Sequence, residues 1–292
     1  MTVHVAVADA PLWRIRDCTL ALARPFVVGV LNVTPDSFSD GGRYDDLARA
    51  VARADALVSE GADMLDVGGE STRPHNLGGI TAIEERARVV PVIAAIRRAH
   101  PSLSISVDTV KADVARAALD AGADVVNDVS ALRLDPALGA VCAEWGAGVV
   151  LMHSRGSVAD MATYAHASYR DVVGEVAAEL RDALGRADAA GIPREAIVLD
   201  PGVGFAKRTA DSVAVLAGLP QLAALGRPLL VGASRKRFVG ELSGVADPEL
   251  RVSGSVGAHV AALARGARLF RVHDVRAHRE ALDVAWAVLQ RA

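Results

Sequence analysis

The sequence of 292 residues has little cysteine, few aromatic residues and no long apolar runs. Its two cysteines, Cys18 and Cys142, lack the spacing of metal ligands, so we expect buried thiols rather than a disulfide or a metal site. Aromatic residues make up 4% of the chain, and its three scattered tryptophans indicate packing positions. Arg, Asp or Gly interrupts each of the longest apolar runs, which excludes a membrane-spanning helix.

Neither positive nor negative charge is in large excess. The net charge of −3 and a pI near 6.2 give no basic surface for nucleic acid or an anionic membrane. The first residues do not combine a basic segment with an apolar core, so we expect no signal peptide. Together these absences predict a cytoplasmic protein that binds neither nucleic acid nor membranes.

What the sequence does contain is a regular alternation of two patterns. Half of the residues are apolar, enough to build a large core. Eight short β-rich runs are Phe26–Asn32, Met64–Gly68, Ser104–Asp108, Val125–Asp128, 148–153, Ile197–Asp200, 229–232 and 268–273. Ala-rich segments with helical periodicity lie between them, for example 48–60, 84–98, 111–121, 169–190 and 251–266.

This alternation predicts a parallel sheet, and eight units predict closure into a (β/α)8 TIM barrel. Several helical segments end at a glycine directly before a strand, as at Gly61, Gly122 and Gly191, which is typical of a helix C-cap. An open doubly wound sheet is the alternative. Because no linker, low-complexity tract or GxGxxG motif interrupts the pattern, we expect residues 1–292 to form a single domain. Residues 1–25 fit no βα unit and are predicted to form a strand or hairpin under the barrel floor.

Polar side chains stand at the end of nearly every predicted strand. The active-site groups of a barrel come from these carboxyl ends. One such aspartate could be a helix N-cap or a turn residue, but a complete set favours a site. The set is Asn32, Asp66, Asp108, Asn127, His153, Asp200, Ser234 with Lys236, and Arg271 with His273.

Two basic clusters after the last two strands suit a compact polyanion such as diphosphate: residues 234–236 and 271–274. Asp108, Asn127 and Asp200 supply acceptors and an amide that suit a flat heterocycle. Asn32 offers an amide oxygen, a hard ligand suitable for Mg²⁺ beside a diphosphate. A heterocycle at one end and a diphosphate at the other indicate an activated pterin.

His153 and Asp66 also stand at strand ends, but each has a structural interpretation. His153 ends a very apolar run, so we interpret it as a core histidine rather than a catalytic one. Asp66 could contact the water shell of the metal or anchor the following loop. The glycine-rich and polar segments 34–44 and 71–79 follow the first two strands, and we expect them to be mobile loops on the active face.

Several of these motifs together resemble the dihydropteroate synthase family, from about residue 26 to the C-terminus. They are GVLNVTPDSFSDGG (29–42), DVGGESTRP (66–74), SVDTVKADVA (106–115), VNDVS (126–130), LMHSRG (151–156), LDPGVGFAK (199–207), GASRKRF (232–238) and RVHDV (271–275). The resemblance implies a TIM barrel, a homodimer and a role in folate biosynthesis. The implied reaction joins (7,8-dihydropterin-6-yl)methyl diphosphate to 4-aminobenzoate with the assistance of Mg²⁺.

The resemblance also implies roles for particular residues. Asn32 would bind Mg²⁺. The residues implied to hold the pterin are Asp108, Asn127, Asp200 and Lys236, with Phe205 and Met152 beside the ring. Those implied to bind the diphosphate are Thr72, Arg271 and His273. Those implied for 4-aminobenzoate are Phe38, Arg73, Pro74 and Ser234, and those implied in catalysis are Asp108, Lys236 and Arg73.

The chain departs from the family pattern at His75-Asn76, at Ser154 and at Arg237, where many members carry a small hydroxyl residue. Two other functions share a pterin pocket: methyl transfer from a reduced folate to a corrinoid, and a silent pterin-binding paralogue. The first needs no diphosphate site, and the second should have lost loop or diphosphate residues. Lys236, Arg271 and His273 therefore favour the synthase.

Overall fold

The computed structural model describes residues 10–34, 43–70 and 79–291. The strands are β1 Leu12–Ile15, β2 Cys18–Ala21, β3 Phe26–Asn32, β4 Met64–Gly68, β5 Ser104–Asp108, β6 Val125–Asp128, β7 Gly148–Met152, β8 Ile197–Asp200, β9 Leu230–Val231 and β10 Leu269–Val272. The helices are α1 Arg43–Ser59, α2 Ala82–Ala99, α3 Ala112–Asp120, α4 Leu138–Glu144, α5 Val172–Ala189, α6 Thr209–Ala217, α7 Leu219–Ala223, α8 Arg237–Ser243, α9 Val252–Leu263 and α10 Val275–Leu289. None of these helices is long and apolar enough to cross a membrane.

Strands β3 to β10 form one parallel sheet that closes on itself. β3 pairs with both β4 and β10, so the first and last strands of the alternating pattern are neighbours. A bridge between Leu199 and Leu229 joins β8 to the residue before β9 and completes the ring. The predicted (β/α)8 barrel is confirmed, and the open doubly wound sheet is excluded.

The predicted element bounds hold closely, with one notable difference at β9. The sequence predicted a strand over 229–232, but the strand covers Leu230–Val231 alone. Just beyond it the backbone has left the sheet, and the Ala233 amide donates to Nε2 of His259 over 2.9 Å. The predicted glycine caps are confirmed, because Gly61, Gly122 and Gly191 have φ values of +102°, +112° and +82°.

The N-terminal hairpin of β1 and β2 lies under the barrel, which confirms the prediction for residues 10–25; residues 1–9 lie outside the described residues. Trp13 and Ile15 are buried in a cluster with the first inward-facing residues of the barrel strands. The fit is close: a Cβ on Gly148 would lie 2.4 Å from Cγ2 of Ile15. One sequence expectation was wrong here. Both cysteines are free, but Cys18 is exposed on the edge of this hairpin and only Cys142 is buried.

The two-residue period of the strands separates the floor from the site. Side chains two positions apart share a face, so an inward-facing floor residue is followed on the same face by a residue nearer the barrel mouth. On four strands that second residue is polar. Floor and site residues on one strand are Met64 and Asp66, Val125 and Asn127, Val198 and Asp200, and Leu269 and Arg271. The intervening residues face outwards and join the helices in the main core. Polar side chains at the barrel mouth therefore lie above a layer of apolar side chains that fills the barrel floor.

Candidate active site

The strand register brings several predicted site residues into one row. Asp108 lies opposite Asn127 on β6 and opposite Gly68 on β4. Asn32 at the end of β3 also lies opposite Gly68. Strand ends that are far apart in the sequence therefore meet across two or three neighbouring strands.

Arg271 crosses the barrel mouth and binds two carboxylates. Its Nε donates to Oδ2 of Asp66 over 2.6 Å, and its Nη2 donates to Oδ2 of Asp108 over 2.7 Å. Asn127 Nδ2 donates to the same Asp66 oxygen over 3.0 Å. Asp66, which is 1% exposed, therefore positions both Arg271 and Asn127. Since a guanidinium has five N–H donors, Arg271 keeps donors for a ligand while it holds both carboxylates.

Burial raises the pKa of two site aspartates, Asp108 and Asp200, above the ordinary value. Burial raises the pKa of Asp108 to about 7, with Asp66 adding to the effect and Arg271 opposing it. Burial likewise raises the pKa of Asp200 to about 6, although the Gly202 amide and Lys236 oppose it. The Gly202 N–H donates to Oδ1 of Asp200 over 2.7 Å. Both carboxyl groups are therefore held in a poorly solvated site close to cations.

Lys236 lies against an apolar wall. Its Nζ is 3.7 Å from the ring centroid of Phe205, which is buried in a cluster with Met152 and Met161. Gly204, at φ +78°, permits this approach, because a Cβ there would lie 3.2 Å from Cδ of Lys236. Burial, with Arg271 next, lowers the pKa of Lys236 to about 7, while Asp200 and Asp108 oppose the change.

Ser234 and His273 form a pair at the carboxyl ends of β9 and β10. The Ser234 hydroxyl accepts from the His273 backbone N–H over 3.1 Å and lies 3.0 Å from His273 Nδ1. Burial and the nearby Arg271 lower the pKa of His273 to about 3, so its ring is neutral. The resemblance implied a contact between Ser234 and 4-aminobenzoate, but in this structure its hydroxyl is engaged with His273.

Four residues implied by the resemblance lie outside the described residues: Phe38, Thr72, Arg73 and Pro74. The same holds for most of the two segments interpreted as mobile loops, 34–44 and 71–79. The described part of the site therefore comprises the residues for which the resemblance implied a pterin or diphosphate contact: Asp108, Asn127, Asp200, Lys236, Arg271 and His273.

Comparisons with known proteins give one consistent answer. The family described as pterin binding enzymes matches residues 28–273. A dihydropteroate synthase of Mycobacterium leprae is 47% identical over 92% of this chain and 95% of its own length. The structure of a Xanthomonas albilineans dihydropteroate synthase with 4-aminobenzoic acid has a TM-score of 0.89 and 47% identity, covering 97% of this chain and all of the other. The same enzyme in complex with 7,8-dihydropteroate has a TM-score of 0.84, at 46% identity over 96% of this chain and 100% of that one.

The chain belongs to the dihydropteroate synthase family. Its activity is that of these transferases of folate biosynthesis, which form 7,8-dihydropteroate from the pterin diphosphate and 4-aminobenzoate. The corrinoid methyltransferase and the silent paralogue, both left open by the sequence, are not supported.

The residues at the end of β3 are suited to the Mg²⁺ expected for a dihydropteroate synthase. A Cβ placed on Gly68 would lie 3.6 Å from Oδ1 of Asn32 and 3.7 Å from Oδ2 of Asp108, so this glycine leaves space between two oxygen donors. Within the described residues, no three His, Cys, Asp or Glu side chains are grouped as a metal site. Mg²⁺ usually keeps several water ligands and binds few protein oxygens together with substrate phosphates, and the oxygens present fit this environment.

Lys207 is a buried residue beside this dihydropteroate synthase site for which the sequence predicted no role. His153 is a buried histidine, as expected, but Nζ of Lys207 donates to its Nδ1 over 2.8 Å. Lys207 closes the motif LDPGVGFAK and received no role from the sequence. Its position could have indicated a role, because Lys207 ends a glycine-rich loop that begins beside the predicted site residue Asp200.

Proposed function

We propose that the pterin ring binds beside Asp200 and Asn127, against Phe205 and Met152. Asp200 and Asn127 are each 5% exposed and supply an acceptor and an amide next to an apolar wall. This combination supports a flat heterocycle whose polar edge is read by hydrogen bonds and whose face packs on apolar groups. It is the observation on which the assignment mainly rests.

The diphosphate group is assigned to Lys236, Arg271 and His273, with Thr72 added from the resemblance. In the reaction the aniline nitrogen attacks the methylene carbon while the bond from that carbon to the diphosphate oxygen breaks, and the nitrogen then releases one proton to water. The leaving group departs with the electron pair of that bond, so fixed donors around its oxygens lower the barrier. A single preorganised donor of this kind contributes about 3 kcal/mol in comparable enzymes. Mg²⁺ held by Asn32 would supply further positive charge to the leaving diphosphate.

Asp108 is assigned to stabilise positive charge that develops on the dihydropterin during departure. Its carboxyl group is held by Arg271 Nη2 at 2.7 Å, which supports a fixed orientation rather than a freely rotating side chain. Burial raises the pKa of Asp108, and a cationic ring nearby would favour its ionised form.

The 4-aminobenzoate site is assigned from the resemblance to Phe38, Arg73 and Pro74. Ser234 acts there only indirectly, through the orientation of His273. A serine hydroxyl that donates to Nδ1 leaves Nε2–H of His273 as a donor for the diphosphate. Support for 4-aminobenzoate as substrate comes from the Xanthomonas albilineans relative, whose structure contains it.

We further propose that residues 1–292 form one pterin-binding domain and that the protein works as a homodimer in the cytoplasm. The single closed barrel supports the first point. The homodimer is supported by exposed apolar side chains on α6, α8 and α10. Val213, Leu242, Val284 and Val288 are 42%, 64%, 67% and 66% exposed. A cavity of about 370 Å³ between α6, α8 and α9 interrupts this face. An apolar surface of this kind suits a second copy of the chain, and Leu242→Asp should convert a dimer to a monomer in light-scattering measurements.

The residue assignments are tested by incubating the protein with the pterin diphosphate, 4-aminobenzoate and Mg²⁺. The expected product is 7,8-dihydropteroate, formed at wild-type rate only when Asp200, Lys236 and Arg271 are intact. Full activity of the Asp200→Asn and Arg271→Lys variants would refute the proposed pocket, whereas a well-folded wild-type protein without product would refute the activity.

A further inference from the structure

Lysine is rare in this chain, and every lysine lies near the carboxyl end of a barrel strand. Only three of the 32 Lys and Arg residues are lysines: Lys111, Lys207 and Lys236. Lys111 donates to Glu70 and Glu85, and Lys236 belongs to the diphosphate site. Lys207 is 1% exposed and has no role in the mechanism described above. In a chain that otherwise uses arginine, a buried lysine indicates a need for the compact ammonium group.

The ammonium of Lys207 has a complete set of acceptors. Its Nζ donates to His153 Nδ1 over 2.8 Å and to the carbonyl oxygens of Gly202 and Phe205, each over 3.1 Å. An ammonium group has three protons, so three acceptors satisfy it fully. A buried cation without partners is costly, and these three acceptors offset part of that cost. Burial still lowers the pKa of Lys207 to about 7, while the charges of Asp200 and Glu179 oppose the change.

The histidine partner is fixed by the same arrangement. Since Nδ1 of His153 accepts from Lys207, its Nε2 carries the proton and donates to Oε2 of Glu179 over 3.0 Å. Burial, followed by the charge of Lys207, lowers the pKa of His153 to about 4, which keeps the ring neutral. Arg155 in turn binds Glu179 and stacks on Tyr169. A chain of polar contacts thus runs from Lys207 to the surface of α5.

The two carbonyls held by Lys207 belong to a constrained loop. Gly202 and Gly204 have φ values of +65° and +78°, and Ala206 has φ +45°. A Cβ on Gly202 would lie 1.9 Å from the carbonyl oxygen of His153, so this turn requires glycine. The carbonyl oxygens of Gly202 and Phe205 both face the Lys207 ammonium. Without a cation between them, two such buried oxygens would repel each other. Lys207 therefore joins the Phe205 N–H, which also donates to the Gly202 carbonyl over 3.0 Å, in holding this loop.

We propose that Lys207 is a positioning residue for pterin binding, whose buried ammonium holds the loop from Gly202 to Phe205 and stabilises the negative charge of Asp200 from inside the protein. The proposal rests on the proposed pterin pocket, because Asp200 and Phe205 are the groups through which Lys207 acts. Lys207 itself touches neither substrate.

The electrostatic part of this role separates it from simple support of the fold. The charged and polar groups that act on Asp200 are the Gly202 amide, Lys236, Lys207 and Arg271. Those that act on Lys207 are Asp200, Glu179, Arg155 and Asp211, together with its partner His153. Removing the charge of Lys207 takes away one of the cations that oppose protonation of Asp200. A pterin that needs the ionised carboxylate should then lose affinity at a higher pH than in the wild-type protein.

The test compares Lys207→Met with a matched control, using 6-hydroxymethylpterin as a probe that lacks diphosphate. Arg227→Met removes a half-buried cation whose Nε donates to the carbonyl of Ile197, at the other end of the strand that carries Asp200. Titration calorimetry between about pH 5 and 8 should show about tenfold weaker binding for Lys207→Met near neutral pH, or about 1.4 kcal/mol. Its affinity should also begin to fall at a higher pH, while Arg227→Met should match the wild type.

Unchanged affinity and an unchanged pH profile in a folded Lys207→Met variant would overturn the proposal. If Asp200→Asn also bound the probe normally, the pocket assignment itself would fail, so the two failures are distinguishable. Should Lys207→Met not fold, ¹⁵N-labelled lysine in the wild-type protein gives three ammonium signals, with two assigned by Lys111→Arg and Lys236→Arg. The Lys207 signal should shift and exchange more slowly with water when the probe binds, and no response would overturn the proposal.

Discussion

Arg271 donates through Nη2 to Oδ2 of Asp108 over 2.7 Å, although the two residues are 163 positions apart in the sequence. The same guanidinium binds Asp66, so one cation holds two carboxylates at the barrel mouth and retains donors for an anion. Because both carboxylates hold the guanidinium in one orientation, an incoming diphosphate meets a fixed set of N–H donors rather than a flexible side chain.

The first prediction concerns this guanidinium. Lysine cannot bind Asp66, Asp108 and a diphosphate at once, because an ammonium lacks the planar fork of arginine. We expect Arg271→Lys to lower kcat/KM for the pterin diphosphate about 100-fold, or about 2.7 kcal/mol. Binding of a pterin without diphosphate should change much less. Arg268→Lys, at the floor end of the same chain segment, is the control, and an equal loss there would contradict the assignment.

The second prediction concerns the acceptor that faces the pterin. Asp200→Asn replaces a carboxylate oxygen with an N–H₂ donor that faces the donor edge of the ligand. We expect titration calorimetry with a pterin analogue to show binding weaker by about 2 kcal/mol. Asp182→Asn, an exposed change on α5, should have no effect. Normal affinity of Asp200→Asn would mean that Asp200 only shapes the turn before Pro201.

The third prediction follows from the raised pKa of Asp200, about 6 against an ordinary value of 3.8. The part of the pterin affinity that depends on Asp200 should be complete well above pH 6 and should fall as the pH decreases through that value, because the protonated carboxyl loses an acceptor. The stability of the ligand-free protein should respond in the opposite sense. A carboxyl whose pKa is raised by folding stabilises the fold below its unfolded pKa and loses that contribution as the pH rises through its folded pKa.

Binding isotherms and urea titrations of the wild type and of Asp200→Asn, taken across this range, separate the two effects. Both dependences should flatten in the variant. A variant that keeps the wild-type acid limb would assign the titration to another group.

The fourth prediction concerns Asn32. Because the metal is needed for the leaving group, Asn32→Ala should reduce turnover and raise the Mg²⁺ concentration needed for half-maximal rate. Binding of a diphosphate-free pterin should be nearly unchanged. Equal loss of pterin affinity and of turnover would show that Asn32 shapes the pocket instead of holding the metal.

The fifth prediction concerns the departure from the family pattern at Arg237. Its guanidinium carbon lies 3.6 Å from the ring centroid of Tyr164, while its nearest ion pair, with Glu241, is long at 3.9 Å. The side chain is 48% exposed. We therefore expect Arg237→Ala to change KM for 4-aminobenzoate by less than about fivefold, or about 1 kcal/mol. A larger rise with KM for the pterin diphosphate unchanged would show that Arg237 binds the benzoate carboxylate directly.

Much of the fold was predictable because it is encoded locally. The strand and helix periods repeat within a few residues, and glycines such as Gly61, Gly122 and Gly191 mark helix ends by a backbone requirement that does not depend on distant contacts. Strand-end residues such as Asp108 and Asp200 were predictable for the same reason. In a barrel, the position of a side chain along its strand decides whether it reaches the site.

The partners of these side chains could not be predicted in this way. These contacts depend on strand register, barrel closure and the reach of long side chains. Examples are the pairs Arg271 and Asp66, Ser234 and His273, and Lys207 and His153. The exposure of Cys18 likewise depends on how the hairpin lies under the barrel. The chemical groups at the strand ends follow from the sequence, because alternation and turn chemistry are local. Their pairing follows from the fold, because those contacts join residues that closure of the barrel brings together.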